Sequence, residues 1–400
     1  MRAVRAATAL GALALLATAC ASLPPCPARG GPAWAEWTSP RIVLVTDLDD
    51  AGARAVLDDL ERTRVAVQLA AWRRAPEPRA RLTVIVFRSD LAKRVFVDSP
   101  YGAAAIATRS HQAFIVGSGA EHDGVMTQMI VWALSFHYGL AGRVPWFDEG
   151  LGLYLASLTV DAAGVVSYGE ADLGLLSAVR RRGLARFESL WEPVTLENRT
   201  TFAPTSWLAV HYLFNHEPER FLDFQRRLEK APDARAAWAA AFPDIPPAEM
   251  SGRLSEYFHH SGTFSSFRAR LPPAPYEAQK TPLQDADVHA LRALLYAATP
   301  EARSDLARAE IAEAFRLDPV NLPAAYVSRE ILHDEPTELE LPRRLVGAHP
   351  ESPTAWLLLA RARTARHELE EAGEAWEEMR RFGGQPDGPV SVELRVARPD

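Results

Sequence analysis

The chain has 400 residues, of which 48% are hydrophobic and 24% charged, which is ordinary for a globular protein and long enough for two or three domains. Its formal net charge is -7 at pH 7. A chain with this acidic balance lacks the basic surface of a nucleic-acid-binding protein, so we expect no nucleic acid among its partners.

The N-terminus has the pattern of a secretory signal. Arg2 and Arg5 precede an uninterrupted apolar run from Ala7 to Ala19, and Cys20 follows directly. A bilayer-spanning helix needs about 20 apolar residues, so this run is too short to be one. We therefore expect residues 1–19 to be a signal peptide that is removed on export.

The segment LATAC at 16–20 resembles the bacterial lipobox, in which the cysteine is acylated and becomes the new N-terminus. Ala17 departs from the motif, which prefers leucine at that position. The resemblance implies a lipid anchor on Cys20 and a place in the bacterial cell envelope, facing the periplasm or the exterior. Ordinary signal cleavage, with Cys20 incidental, is the alternative. If Cys20 is acylated, Cys26 is left without a disulfide partner in this chain.

A Pro/Gly-rich tether is expected at residues 20–39, and a small α/β layer after it. Three β-branched apolar runs predict buried strands: RIVLVTD at 41–47, RLTVIVFRSD at 81–90 and HQAFIVGSG at 111–119. Segments with helical spacing of apolar residues separate these runs. The order strand, helix, strand, short helix, strand is typical of an α/β layer.

From residue 121 onward the pattern is helical. Residues 124–138 are apolar nearly all round, which predicts a buried helix, and a second helix begins near Pro145. Further helices follow to residue 260, including an apolar one that carries Ser206, Trp207 and His211. We expect these three residues to be core rather than catalytic, and the adjacent pair His259 and His260 not to bind metal.

A linker is predicted at residues 265–283, followed by paired helices at 284–384 and a tail at 385–400. The turns LDP at 317–319 and AHP at 348–350 lie 31 residues apart, and RFGG follows about 34 residues later. This period resembles tetratricopeptide repeats, although Pro342 falls inside a predicted helix. The resemblance implies a surface that binds a protein or peptide. A generic helical tail is the alternative.

The most informative motif is PWFDEGLGLY at 145–154. It resembles the third-ligand segment of gluzincin-type zinc metallopeptidases, the peptidase-MA-like family, in which P-x-W-x-x-E-G-x-A-x-Y recurs. Two departures are that the proline directly precedes Trp146 and that Gly152 stands where alanine is usual. The resemblance covers about residues 40–264 and implies a mostly helical zincin-like domain with Glu149 as a zinc ligand. The expected fold class is therefore α+β: a small N-terminal α/β layer, this zincin-like domain, and an α-helical repeat domain.

The family's other two ligands belong to an H-E-x-x-H motif on the preceding helix, whose histidines share one helical face and whose Glu activates the zinc-bound water. The matching segment here is QMIVW at 128–132. Gln128 and Trp132 replace the histidines, and Met129 replaces the glutamate. An amide is a poor zinc ligand, a thioether cannot act as a base, and an indole nitrogen only donates.

A protein without catalytic residues is the leading interpretation: a membrane-tethered, metallopeptidase-like module that binds a protein or peptide and needs no cofactor. One alternative is an active zinc metallopeptidase with a displaced site, built from His122, His137 and Glu149. His111 is also nearby, but no two histidines of this region are four residues apart. Another alternative is a small-ligand binder that uses the vacated cleft around Met129 and Trp132.

The sequence also predicts the environments of the Glu149 and His137 side chains. Without a cation, Glu149 would be costly to bury in charged form, so we expect it to protonate, to pair with an arginine or to accept a hydrogen bond from Gln128. His137 is expected to border the end of its helix, where a positive charge suits the helix dipole.

Overall fold

The computed structural model describes residues 24–72, 81–97, 103–107, 113–119, 124–138, 140, 144–195, 198–230, 233–260, 266–272, 275–298 and 303–384. The predicted signal peptide, Cys20, His111, His122 and the tail at 385–400 lie outside these residues. Within them the chain is a mixture of many helices and two sheets, in agreement with the expected α+β class.

The larger sheet has six strands in the order β4-β5-β3-β2-β1-β9. Strands β2, β3 and β5 are parallel, and β4, β1 and β9 add antiparallel strands at the two sides. The strand bounds are β1 Ala35–Thr38, β2 Ile42–Thr46, β3 Leu82–Phe87, β4 Ala103–Ala107, β5 Ala113–Ser118 and β9 Gln279–Pro282. The three strands predicted from the sequence are β2, β3 and β5, which are confirmed.

Strand β2 shows how the sheet is placed. All five of its residues are buried, because successive side chains enter two different cores. Ile42 and Leu44 belong to one core, and Val43 and Val45 belong to the other. The sheet therefore lies between two helical layers, which explains why its central strands are continuously apolar.

The first layer holds the helices between residues 50 and 260, except the short helix at 90–94, whose Ala92 packs against the second core. Its core joins the sheet to the helices that carry residues 128–132 and the segment PWFDEGLGLY. The helix bounds are α1 Asp50–Ala71, α2 Asp90–Arg94, α3 Gly124–His137, α4 Pro145–Leu155, α5 Leu173–Arg182, α6 Arg199–His216, α7 Pro218–Lys230, α8 Ala234–Ala241 and α9 Pro247–His260. The smaller sheet joins β6 Thr159–Val160, β7 Val165–Tyr168 and β8 Phe267–Arg270.

The second layer is formed by the C-terminal helices, which pack on the other face of the large sheet. Leu291, Leu294 and Tyr326 share a core with Val45, Phe87 and other sheet residues. The helix bounds are α10 Asp285–Ala298, α11 Ser304–Leu317, α12 Leu322–Tyr326, α13 Glu340–Ala348, α14 Pro353–Ala365 and α15 Leu369–Arg381. A π-helical turn at Val327–Ile331 extends α12. Helices α10 and α11, and likewise α14 and α15, form closely packed pairs.

Two segments differ from their predicted roles. The expected linker at 265–283 contains β8 and β9, which pair with β7 and β1 and thus join the C-terminal layer to both sheets. The expected tether at 20–39 is packed against the fold from residue 24 and contains β1. Short segments of this kind are recognisable as strands only through their partners, which are distant in sequence.

Pro342 is the third residue of α13 and does not interrupt it. Backbone N–H groups in the first helical turn have no intrahelical acceptor, so a proline there removes no hydrogen bond. In the described part of the chain, no helix combines the length and hydropathy that a membrane span requires.

Candidate functional site

The two helices that carry the motif residues, α3 and α4, pack directly against each other. A Cβ built on Gly124 would lie 2.7 Å from the carbonyl oxygen of Ala156, and one built on Gly152 would lie 3.8 Å from Cβ and Cγ of Gln128. The helices are therefore antiparallel, and residue 128 of α3 faces residue 152 of α4. By the same spacing, one turn further along α3 and one turn back along α4 place Trp132 opposite Asp148, the residue before Glu149.

Gly150 fixes α4 against α6. A Cβ at this position would stand 2.3 Å from the carbonyl oxygen of Ser206 and 2.7 Å from Cγ2 of Val210. Only glycine permits this approach, because the obstructing atom belongs to the backbone. The glycine after Glu149 therefore has a packing role that does not depend on a metal.

Trp146 is fully buried at the centre of an aromatic cluster. Its ring lies 5.1 Å from that of Phe187, 6.0 Å from that of Phe224 and 5.9 Å from that of Trp238, measured between centroids. Aromatic pairs at these distances contribute beyond the area that they bury. Trp146 thus anchors α4 in the core of the first layer.

Glu149 reaches solvent from the exposed side of α4. The protein packed around it nevertheless raises the pKa of its carboxyl, because desolvation penalises the charged form. Among the described residues, Glu149 has neither a hydrogen bond nor an ion pair, and Gln128 has none either. The expected hydrogen bond between Gln128 and Glu149 is therefore wrong. Exposure explains this, since water solvates a carboxylate that need not be buried.

Met129 and Trp132 are both half-buried and pack against the core of the first layer. The Trp132 ring stacks on that of Phe136, with centroids 5.9 Å apart. These side chains do not fit a zinc site. The α3 face that meets α4 offers an amide and an indole where the metal would need two imidazoles, and Glu149 is left as the single carboxylate ligand.

His137 is the last residue of α3, as expected, but it is not charged. Burial lowers its pKa to about 4, so the imidazole is neutral at pH 7. The expected interaction of a positive charge with the helix dipole is therefore wrong. The ring Nδ1 is buried and has no hydrogen-bond partner among the described residues.

The apolar helix α6 contributes core residues, as predicted. Ser206, Trp207 and His211 are fully buried. The His211 Nδ1 atom is 2.8 Å from the Tyr257 hydroxyl, and Nε2 is 3.1 Å from the Gly169 carbonyl oxygen. Burial also lowers the pKa of His211 to about 4. This histidine links α6 to α9 and the small sheet without facing a cleft.

Two of the open grooves that the described residues form lie away from the motif. The larger, of about 1120 Å³, lies between α5 and α9; its lining includes Leu176, Phe258, Arg180 and His259. The smaller, of about 500 Å³, lies on the C-terminal helices α13, α14 and α15. Val346, Trp356 and Leu359 form its apolar surface, and charged residues of both signs surround it.

A buried polar cluster in the second layer was not predicted from the sequence. The Cys26 Sγ lies 3.2 Å from Nε2 of His289, and Nδ1 of the same ring forms a short hydrogen bond with Oε2 of Glu310. A nucleophile, an imidazole and a carboxylate are thus connected in series. Residues 26, 289 and 310 meet only through tertiary packing, so no local sequence signal marks them.

No group of three or more His, Cys, Asp or Glu residues suited to a metal ion occurs in the described ranges. No protein-family model matches the chain, and no curated protein matches it.

Proposed function

We propose that this protein is an exported, lipid-anchored, metallopeptidase-like module without peptidase activity, which binds a protein or peptide through its C-terminal repeat-like helices. In this proposal residues 40–264 form a zincin-like domain, Cys20 carries the anchor, and the protein lies in the bacterial cell envelope. No cofactor and no nucleic acid take part.

The contact between Gln128 and Gly152 carries the proposal. It supports the alignment of QMIVW at 128–132 with the family's H-E-x-x-H segment, since residues 128 and 132 then occupy the α3 face that meets α4. Glu149 lies on α4 within one turn of that contact. The scaffold positions are therefore kept, while the side chains that would bind zinc and move a proton are replaced.

The groove on the repeat-like helices suits a peptide. Its apolar surface can take aliphatic or aromatic side chains, and its rim offers the charged residues Arg343, Arg363, Glu374 and Glu378. This combination favours an extended peptide over a small apolar ligand.

The displaced zinc site remains the second candidate, because His137 and Glu149 each lack a partner within the described residues. A neutral imidazole with a free nitrogen is competent to bind zinc. His122 would have to be the third ligand. Zinc that is bound stoichiometrically and lost in both His137→Ala and Glu149→Ala would establish this candidate. The small-ligand alternative is less favoured, because Met129 and Trp132 pack against the core.

Peptide selection against the full chain tests the binding function. We expect enriched peptides to lose at least about tenfold in affinity with Arg343→Glu, which reverses a charge at the groove rim. Arg344→Glu is the matched control, because Arg344 is exposed on the same helix but does not line the groove. Failure to enrich any sequence, or equal losses in both variants, would contradict a binding site in this groove.

A further inference from the structure

The N-terminal segment 24–31 lies on α10 and α11 through a dense set of polar contacts. Arg292 donates to the carbonyl oxygens of Pro24 at 2.6 Å and Pro25 at 3.0 Å. The Ala28 N–H donates to Oδ1 of Asp285 at 3.3 Å. Cys26 is the one residue of this segment that is buried, while its neighbours remain partly or fully exposed.

Two basic side chains converge on the Cys26 sulfur. Nε2 of His289 is 3.2 Å away, and Nη1 of Arg292 is 3.3 Å away. All three side chains are almost completely buried. No carboxylate forms an ion pair with Arg292 among the described residues, and its guanidinium is already bonded to two carbonyl oxygens. A buried cation needs an anion nearby, and the sulfur is the group in contact that can supply one.

The other ring nitrogen of His289, Nδ1, contacts a buried carboxylate. The Glu310 carboxylate is fully buried and bonds to Nδ1 of His289, and its second oxygen has no partner among the described residues. Transfer of the Cys26 proton to His289 would place negative charge beside Arg292 and positive charge beside Glu310. Both changes are favourable in a buried site.

The pKa of His289 agrees with this arrangement. Burial by itself would lower it, but the hydrogen bonds and negative charges of Cys26 and Glu310 raise it to about 9. The other groups around the ring are Asp285 and Arg292 on α10 and Glu313 on α11. Asp285 faces the sulfur through its backbone carbonyl, which lies 4.0 Å from Sγ.

We propose that Cys26 is a thiolate latch: paired with His289 and Arg292, it fastens residues 24–31 to α10 and α11 and is a site of oxidation by a small peroxide. The thiolate attacks one peroxide oxygen, the O–O bond breaks, and the leaving hydroxide takes the His289 proton to become water. Cys26 is oxidised to sulfenic acid, and the peroxide is reduced.

Oxidation would then release the segment. His289 has then given up its proton, and a neutral sulfenic acid no longer pairs with the Arg292 cation. The added oxygen atom also enters a site where the sulfur already contacts His289 and Arg292. The Cys26 carbonyl accepts hydrogen bonds from the amides of Arg29 and Gly31 at 2.8 and 3.0 Å, so these amides report on the fold of the segment.

The thiolate is tested directly by its ultraviolet absorbance, taken as the difference between the full chain and Cys26→Ser. We expect thiolate absorbance at neutral pH that disappears in His289→Gln and is reduced in Glu310→Gln, which keeps the hydrogen bond but removes the charge. Absence of the absorbance in the folded wild-type protein would overturn the proposal.

Peroxide treatment tests the reaction and its consequence. A sulfenic-acid probe should label Cys26 in the folded wild-type chain, located by fragment mass spectrometry, and about tenfold more slowly in Glu310→Gln. Hydrogen exchange of the Arg29 and Gly31 amides should accelerate on oxidation of the wild-type protein and not in peroxide-treated Cys26→Ser. The latch would be refuted if Glu310→Gln, with an unchanged melting temperature, were labelled as fast as the wild type. It would also be refuted if hydrogen exchange of these amides stayed unaltered in fully oxidised wild-type protein.

Discussion

The backbone of Gly150 lies so close to that of Ser206 that a Cβ on the glycine would stand 2.3 Å from the Ser206 carbonyl oxygen. This contact joins α4 to α6 at the residue directly after Glu149. The segment PWFDEGLGLY therefore includes a glycine whose role is packing, and such a role persists whether or not the neighbouring side chains bind a metal.

Substitution of this glycine should be costly. Gly150→Ala forces α4 away from α6, because the obstructing atom is a carbonyl oxygen that cannot rotate away. Overpacking of this kind costs about 1–3 kcal/mol, and we expect a loss in that range in the free energy of unfolding measured with denaturant.

Gly152→Ala is the matched control on the same helix. A Cβ there meets the side chain of Gln128 at 3.8 Å, an ordinary van der Waals distance. Alanine has the higher helix propensity, so we expect unchanged stability or a gain of up to about 1 kcal/mol. Equal destabilisation by both substitutions would show that α4 does not pack as described.

Trp146→Ala should cost about 3–5 kcal/mol, because it removes the central ring of a buried aromatic cluster. Leu173→Ala is the control, since this leucine is 77% exposed and its loss should change stability by less than about 0.5 kcal/mol. Thermal and denaturant unfolding measure both. A small effect at Trp146 would mean that the motif tryptophan is not a core anchor.

Glu149→Gln should stabilise the protein in a pH-dependent way. Desolvation raises the pKa of this carboxyl, so the folded state prefers the protonated form, and the wild-type protein loses stability as pH rises through that pKa. Glutamine is neutral throughout. We expect the melting temperature of the variant to match that of the wild type in acid and to exceed it at neutral pH.

The gain should be below about 1 kcal/mol, because solvent screens the exposed carboxylate. A variant that is less stable than the wild type at neutral pH would show instead that Glu149 has a cationic partner, either a side chain or a metal ion.

Restoration of the missing ligands tests the alignment of α3 with α4. The combined variant Gln128→His, Met129→Glu, Trp132→His should bind zinc stoichiometrically, because its two imidazoles would lie on one helical face opposite Glu149. Adding Glu149→Ala should weaken zinc binding markedly. A folded combined variant that binds no zinc would place residues 128 and 132 away from Glu149.

The sequence predicted those parts of the molecule that depend on local pattern. The runs around Val43, Val84 and Ile115 are continuously apolar and form the central parallel strands, and the motif helix begins at Pro145 as predicted. Strand β9 was not predicted, because QKTP has no strand pattern of its own and pairs with residues 35–38 far away in sequence.

The candidate site was predicted only in part, because a local sequence pattern does not determine the surroundings of a side chain. The motif resemblance and the helical pattern predicted Gln128, Trp132 and Glu149 on two successive helices, but the solvation of Glu149 depends on the surrounding fold. Cys26, His289 and Glu310 are brought together because the N-terminal segment 24–31 packs on α10 and α11. No local sequence pattern indicates this packing.

Zinc content tests the central claim most directly. The full chain, purified in the presence of zinc and freed of excess metal, should contain far less than one zinc ion per chain, and Glu149→Ala should not change that amount. Stoichiometric zinc in the wild-type protein that is lost in Glu149→Ala would contradict the claim and show that Glu149 still serves a metal site.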